Sequence, residues 1–317
     1  MIRLTTTSAW VAVCSSMLAQ AALAEPFAYV PNEKSGTVSV IDTATDKVVG
    51  DFAGGKKPRG IASSKDGKQL FLSDQPAKAL QVVDLATRKI TAQIALGESP
   101  EGVYRSPDGK WLAAAVEEDN SVHFIDIASG KTEFEVKTAG KNPEHAVFSP
   151  DSKLVYVSAE EADSVDIIDV AARKEVGTIK VGERPRGIGF TPDGKFAYVA
   201  CEAVNQVAVI DVAKSAVIAT IPAGLRANGV MMHPGGKVVF VTNGGDGTVI
   251  VIDTASNKVT KTIPVGKRPW NMALTPDGKK LYVANGKSNS VSVIDTEKLE
   301  KISDIAVGDT PWGVNIP

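Results

Sequence analysis

The chain has 317 residues, which is long enough to bury a large core, and its 43% hydrophobic and 23% charged residues exclude a disordered polypeptide. With 28 Gly and 17 Pro, the composition favours many turns over long helices. The formal net charge of −2 argues against a nucleic acid as the partner, since nucleic-acid-binding proteins usually carry a clear basic excess.

The amino terminus has the features of a secretory signal peptide. Arg3 precedes an apolar run over residues 9–23, and Ala22-Leu23-Ala24 satisfies the small-x-small cleavage rule. We expect residues 1–24 to be a signal peptide that is cleaved after Ala24, so that a single domain, residues 25–317, reaches the periplasm. An uncleaved anchor is the alternative, and no later segment is long and apolar enough to span a bilayer.

A repeat of about 42 residues follows this segment. An apolar residue followed by Asp recurs at intervals of 42 or 43 residues, at Asp42, Asp84, Asp126, Asp169, Asp211, Asp253 and Asp295. Each unit contains four short runs rich in Val, Ile, Leu and Phe, which predict strands at 60–64, 69–73, 80–85 and 90–96 in the second unit. The repeated Asp stands where its carboxylate can accept backbone N–H bonds in a turn, so we expect a structural role for all seven.

Four-stranded units at this spacing are typical of β-propeller blades, and seven of them close a ring around a central channel. The mature chain begins with residues 27–30, which match the second strand of a unit, and ends with residues 312–316, which match the first. We therefore predict an all-β, seven-bladed propeller of four-stranded blades, closed by pairing of the N- and C-terminal strands.

The loops between blades have the nearly invariant pattern Gly-x-x-Pro-x-Gly, in which Ala227 replaces the Pro once, and the residue after this Pro or Ala lies at the start of each innermost strand. This position should rim the channel mouth, on the face that also carries the loops between second and third strands. In order, the residues are Arg59, Glu101, Glu144, Arg186, Asn228, Trp270 and Trp312, with His145 directly after Glu144. A planar ligand could stack on the two Trp rings while Arg59 and Arg186 bind carboxylates. Equally, the Trp rings could plug the channel and Arg–Glu pairs could join neighbouring blades.

Other candidate groups are weaker. His145 with Glu101 and Glu144 forms no recognised ligand motif, so we predict no metal site. Cys201 lacks a second thiol and should be a buried small residue. The loops between second and third strands are acidic and should form a solvated face or receive a basic partner; they contain Glu117, Glu118, Asp119, Glu160, Glu161 and Glu202.

Several segments resemble a known repeat, and they are Tyr198-Val199-Ala200, Phe240-Val241-Thr242-Asn243 and Tyr282-Val283-Ala284-Asn285. With the Val-x-Val-Ile-Asp-Thr and Ile-Pro-Val-Gly segments, they resemble the YVTN-family β-propeller repeat over residues 27–317. The Pro-Arg-Gly loops and the closing residues 311–314 are similar to periplasmic propellers associated with PQQ-dependent alcohol catabolism. That resemblance implies an accessory or binding component. The chain lacks the Trp-docking repeat of the dehydrogenases themselves, so no PQQ-binding residue is carried over.

Three functional hypotheses follow. The first is a monomeric, exported binding or scaffold propeller without cofactor or catalytic residues, whose rim binds a small planar or anionic ligand or a periplasmic protein. The second is a lactonase-like hydrolase or a lyase, with Glu101 or Glu144 and His145 as acid and base. The third is a carrier of a haem-d1-like cofactor, for which His145 is the candidate axial ligand.

Overall fold

Residues 27–317, which the computed structural model describes, contain twenty-seven β-strands and two short 3₁₀ turns, Gln75–Ala77 and Glu160–Ala162. Blade 1 contains β1 (Phe27–Asn32), β2 (Thr37–Asp42) and β3 (Lys47–Ala53). Blade 2 contains β4 (Pro58–Ser63), β5 (Gln69–Asp74), β6 (Ala79–Asp84) and β7 (Lys89–Ala95). Blade 3 contains β8 (Pro100–Arg105), β9 (Trp111–Val116), β10 (Ser121–Asp126) and β11 (Lys131–Lys137). Blade 4 contains β12 (Pro143–Phe148), β13 (Leu154–Ala159), β14 (Ser164–Asp169) and β15 (Lys174–Lys180). Blade 5 contains β16 (Pro185–Phe190), β17 (Phe196–Cys201), β18 (Gln206–Asp211) and β19 (Ala216–Pro222). Blade 6 contains β20 (Ala227–Met232), β21 (Val238–Asn243), β22 (Thr248–Asp253) and β23 (Lys258–Pro264). Blade 7 contains β24 (Pro269–Leu274), β25 (Lys280–Asn285), β26 (Ser290–Asp295) and β27 (Glu300–Ala306).

Each of blades 2 to 7 is an antiparallel sheet whose strands lie in chain order, with the first strand innermost. The predicted seven-bladed propeller is therefore confirmed. In blade 2, the observed strands differ from the predicted ones by two residues or fewer at each end. The predicted signal peptide, residues 1–24, lies outside the described residues.

Blade 1 differs from the prediction, because it is a regular sheet of three strands, β1 to β3. Residues 312–316 do not form a regular fourth strand. The C-terminal segment contacts β1 through two isolated bridges, Tyr29 with Asn315 and Asn32 with Pro311. In the other blades, the pairing of the first strand with the second is also interrupted near its start. In blade 2, the register of β4 against β5 shifts between Pro58 and Ile61.

The repeated Asp residues have the structural role that their position predicts. The carboxylate of Asp42 accepts hydrogen bonds from the backbone N–H of Ala44 (2.8 Å) and Thr45 (3.1 Å). Asp84 accepts from the N–H of Thr87 (2.7 Å), and the other units repeat this turn. These bonds fix the turn between the third and fourth strands of each blade, and with it the period of the repeat.

The hydrophobic core lies between neighbouring blades. Phe71 and Leu80 of blade 2, for example, pack with Leu112 and Ile125 of blade 3, and all four are at most 2% exposed. Cys201 is buried in a similar cluster, as predicted, and burial raises the pKa of its thiol to about 11. Because the blades pack face to face, the innermost strands are left to surround the channel. No helix within residues 27–317 is long and apolar enough to cross a membrane.

Candidate functional site at the channel mouth

One cavity at the channel mouth gathers the predicted rim. All eight predicted residues line it: Arg59, Glu101, Glu144, His145, Arg186, Asn228, Trp270 and Trp312. Three further side chains, Glu33, Arg268 and Asn271, complete the wall of what we call the upper cavity, whose volume is about 180 Å³. These side chains come together because every innermost strand starts at the same face of the propeller. The second residue of each strand therefore faces the channel.

The arginines expected to bind ligand carboxylates are paired within the protein instead. Arg59 of blade 2 donates to Glu101 of blade 3 (2.5 Å) and to Glu33 of blade 1 (3.2 Å). Arg186 of blade 5 donates to Glu144 of blade 4. These pairs join neighbouring blades, which is the structural alternative that the sequence left open. They also hold buried charges in fixed positions around the cavity.

Glu202, in the loop between β17 and β18, is the centre of the largest ionic cluster. It is 2% exposed, although the acidity of its loop predicted a solvated face. Its carboxylate accepts from Arg226 (2.7 Å), Arg186 (2.9 Å) and Arg268 (2.9 Å). Burial alone would raise the pKa of Glu202, but these guanidiniums more than offset it and lower the pKa to about 2. Arg186 and Arg268 are thereby anchored where they line the upper cavity.

Glu101 is the most deeply buried carboxyl of the upper cavity. It is 1% exposed, and burial raises its pKa to about 7 although Arg59 opposes the shift. Gln75 Nε2 also donates to Glu101 Oε1 at 2.5 Å. Burial therefore opposes ionisation of Glu101, and the Arg59 guanidinium favours it.

Trp312 and His145 form the floor of the upper cavity. Their rings stack with centroids 6.1 Å apart and an interplanar angle of 20°, although they belong to blades 1 and 4. The hydroxyl of Tyr104 pairs with His145 Nδ1. Burial lowers the pKa of His145 to about 4, so the imidazole is neutral at neutral pH. A neutral imidazole held by Tyr104 is poorly placed for the acid–base role that the hydrolase hypothesis gave it.

The indole ring of Trp270 packs against Gly286, which belongs to the same blade. A Cβ built on Gly286 would stand 2.2 Å from Cζ3 and 2.4 Å from Cε3 of the Trp270 ring. The guanidinium of Arg268 lies 5.9 Å from the ring centroid. One face of the Trp270 indole is thus in contact with the protein. The ring can occupy this position because Gly286 has no side chain.

We expect Gly286→Ala to displace the Trp270 ring and to lower the free energy of unfolding by about 2 kcal/mol, because the rigid indole cannot absorb the clash. Thermal or denaturant unfolding measures the loss, and near-UV circular dichroism reports the ring. Gly177→Ala is the matched control, since its Cβ would meet nothing closer than 3.9 Å. Equal stability of the two variants would contradict the assigned position of Trp270.

The upper cavity also has polar groups without partners. Within residues 27–317, no side chain or backbone group hydrogen-bonds the Asn228 amide or the indole N–H of Trp270 and Trp312. Asn228 is 5% exposed. The two indoles are partly exposed, so together with Asn228 they leave hydrogen-bonding capacity for a molecule in the cavity.

A carboxylate cluster lies beside the cavity and differs from the His–Glu set considered from sequence. Oxygen atoms of Glu117, Glu144 and Glu160 lie within 4.8 Å of one another. Arg186 donates to Glu144 and, at 2.8 Å, to Glu160. Arg186 therefore offsets part of the negative charge of this cluster, to which no residue within 27–317 adds an imidazole or a thiolate.

Sequence reasoning missed Glu33, Arg268, Asn271 and the central role of Glu202. A signal for Arg268 exists, because Arg184, Arg226 and Arg268 occupy the same position in three consecutive repeats, directly before the rim strand. The main chain is left-handed at all three, with φ between 54° and 59°. Spacing alone could not reveal that these side chains converge on one carboxylate.

Comparison with known proteins places the chain among propellers. The sequence model of the seven-bladed β-propeller lactonases matches residues 145–311, and the model of YNCE-like β-propellers matches residues 6–108. No curated protein sequence matches significantly.

Three solved structures are similar along most of their length. A chain of hydrazine synthase from Kuenenia stuttgartiensis is 26% identical, with 81% of this chain and 88% of that chain covered and a TM-score of 0.73. A protein of unknown function from Desulfotomaculum acetoxidans is 17% identical, with 92% and 98% covered and a TM-score of 0.81. A putative 6-phosphogluconolactonase from Bacteroides uniformis is 19% identical, with 92% and 100% covered and a TM-score of 0.77. The last two likenesses concern the fold alone.

Proposed function

Because the chain belongs to the lactonase family of seven-bladed β-propellers, we propose that it acts through the upper cavity, by binding a small planar or anionic molecule there. The observation that carries this proposal is the buried Asn228 amide together with the two indole N–H groups, all lining one cavity and all without a partner among residues 27–317. Donors of this kind suit the oxygen atoms of a carboxylate or a ring carbonyl.

The charges and the size of the cavity define the ligand further. Three guanidiniums and three carboxylates of the described residues line it, and burial disfavours the charged form of one of these carboxylates, Glu101. This balance favours an anion over a cation. A volume of about 180 Å³ is below the range usual for drug-sized ligands, which favours a molecule of the size of a benzoate or a sugar acid.

We expect the protein to bind benzoate, a planar anion, more tightly than benzamide, its neutral analogue. Asn228→Ala and Trp312→Phe each remove a donor, so each should weaken benzoate binding by about tenfold, as measured by titration calorimetry. Trp111→Phe is the control for the indole substitution, because Trp111 lies outside the cavity, against Phe134. Undiminished binding by both cavity variants would rule out the upper cavity as the ligand site.

Lactone hydrolysis is the second candidate function, and the pKa of about 7 for Glu101 favours it beside the family match. A general base works best when its pKa is close to the operating pH. Glu101 would take a proton from a water molecule as that water adds to the lactone carbonyl; the ring C–O bond then breaks, and Glu101 returns the proton to the leaving ring oxygen to give a hydroxy acid. Ring opening of glucono-1,5-lactone releases acid and is followed with a pH indicator. Turnover that is lost in Glu101→Gln and retained in Asn228→Ala would favour this function, and no turnover by the wild type would exclude this substrate.

We propose further that the protein is exported and acts as a monomer, as an accessory component of a periplasmic oxidation or transport system. The signal-like sequence of residues 1–24 supports export, and the resemblance to propellers associated with PQQ-dependent catabolism supports the accessory role. A periplasmic protein that begins at Glu25 and co-purifies with a dehydrogenase or a transporter is the expected result. Retention in the cytoplasm with residues 1–24 intact would exclude it.

A further inference from the structure

A second, larger cavity lies deeper in the channel, on the other side of the Trp312 floor. It has a volume of about 420 Å³, and we call it the lower cavity. Trp312 and Asn271 line both cavities, which places these two side chains between them. The lower cavity reaches Pro234 and Pro276, which belong to the turns between first and second strands, so it lies toward the face opposite the channel mouth.

The wall of the lower cavity has both polar and apolar parts, and the apolar part is rich in methionine. Met231, Met232 and Met272 line it, together with Leu274 and Ile316. The sequence has five Met, of which two precede residue 27, so every methionine of the described chain meets this one cavity. Methionine is flexible and polarisable, and it adapts to apolar ligands of different shape. A volume above 300 Å³ lies within the range usual for binding sites of small molecules.

The wall of the lower cavity also contains one cationic side chain. Arg105 lines the lower cavity and is partly buried, and burial lowers its pKa below the ordinary value for arginine. No carboxylate within residues 27–317 lies close enough to form an ion pair with it, unlike Arg59 and Arg186 in the upper cavity. The acidic group that influences Arg105 electrostatically is Asp108, whose carboxylate accepts from Ser106 Oγ (2.5 Å) and the N–H of Lys110 (2.9 Å).

We infer that the lower cavity is a binding site for a small amphipathic organic anion, with its charged group on Arg105 and its apolar part against the methionine wall. A partly desolvated guanidinium without a carboxylate partner is stabilised by an incoming anion. The apolar part gains from leaving water, at about 25 cal/mol per Å² of apolar surface. This site is separate from the upper cavity, so it stands whether or not the proposed function is correct.

Octanoate and octan-1-ol are matched probes, since they share the eight-carbon chain and differ in charge. By titration calorimetry, the wild type should bind octanoate at least tenfold more tightly than octan-1-ol. Arg105→Gln should remove this difference by weakening octanoate alone, and Arg105→Lys should restore part of it. Met232→Ser should weaken both probes.

Three outcomes would overturn the inference. They are the absence of octanoate binding at millimolar concentration, equal octanoate affinity in the wild type and Arg105→Gln, and loss of octanoate binding in Asn228→Ala, which belongs to the upper cavity. Benzoate binding at the upper cavity should be unchanged in Arg105→Gln, so failure of one site is distinguishable from failure of the other.

Discussion

Glu202→Gln should lower the free energy of unfolding by about 3 kcal/mol, because it removes the carboxylate partner of Arg268 and one of the three carboxylates that pair with Arg186. Removal of one member of a buried ionic cluster leaves uncompensated charge, which is strongly destabilising. Chemical denaturation at neutral pH measures the loss. Glu118→Gln is the matched control, since Glu118 lies in the equivalent loop of blade 3 and is exposed.

The ionic cluster around Glu202 also predicts that the free energy of unfolding depends on pH in the acid range. The pKa of Glu202 in the folded protein, about 2, is below its ordinary value of 4.5. Its contribution to stability is therefore complete above about pH 4.5 and is lost as the pH falls toward 2. The Glu202→Gln variant should lack this part of the acid sensitivity. Wild-type stability in Glu202→Gln would contradict the central role of this carboxylate.

Gly60→Ala should have an effect of similar size, about 3 kcal/mol, because its Cβ would stand 2.2 Å from the carbonyl oxygen of Glu101 and 2.8 Å from the N of Val103. Both are backbone atoms of the next innermost strand and cannot rotate away. Gly313→Ala is a control at the same repeat position, where the nearest atom, Asn271 Cβ, is 3.3 Å away. It should cost less than about 1 kcal/mol.

This pair of variants tests how closely the innermost strands approach one another. Five of the seven repeats have Gly at this position, whereas blades 4 and 7 have His145 and Asn271. Each exception places a side chain in the channel, between or beside the two cavities. If Gly60→Ala and Gly313→Ala were equally stable, the tight approach of β4 and β8 would be incorrect.

The fold was predictable because its determinants are local and repeated. Turns such as that at Asp42 fix the strand ends within each unit, and the 42-residue period counts the blades. The irregular ladder beside β1 was not predictable, since the spacing of the repeat does not show where the pairing of two strands is interrupted.

The candidate site was predictable in position and only partly in chemistry. The second residue of each innermost strand had to meet the channel, so Asn228 and Trp312 could be placed there from sequence. The ionic cluster around Glu202 could not be predicted, because Arg268 and Glu202 are 66 residues apart and meet through long side chains across two blades. The spacing of the repeat predicts where the Cα atom of a residue lies. It does not predict where the guanidinium group at the end of a long, flexible side chain lies.

A crystal structure of the protein with bound benzoate would test the central claim most directly. We predict benzoate in the upper cavity, with its carboxylate oxygens within about 3 Å of the Asn228 amide nitrogen or of an indole nitrogen of Trp270 or Trp312. Benzoate bound elsewhere, or an upper cavity that holds solvent alone at saturating benzoate, would contradict the claim that this cavity is the ligand site.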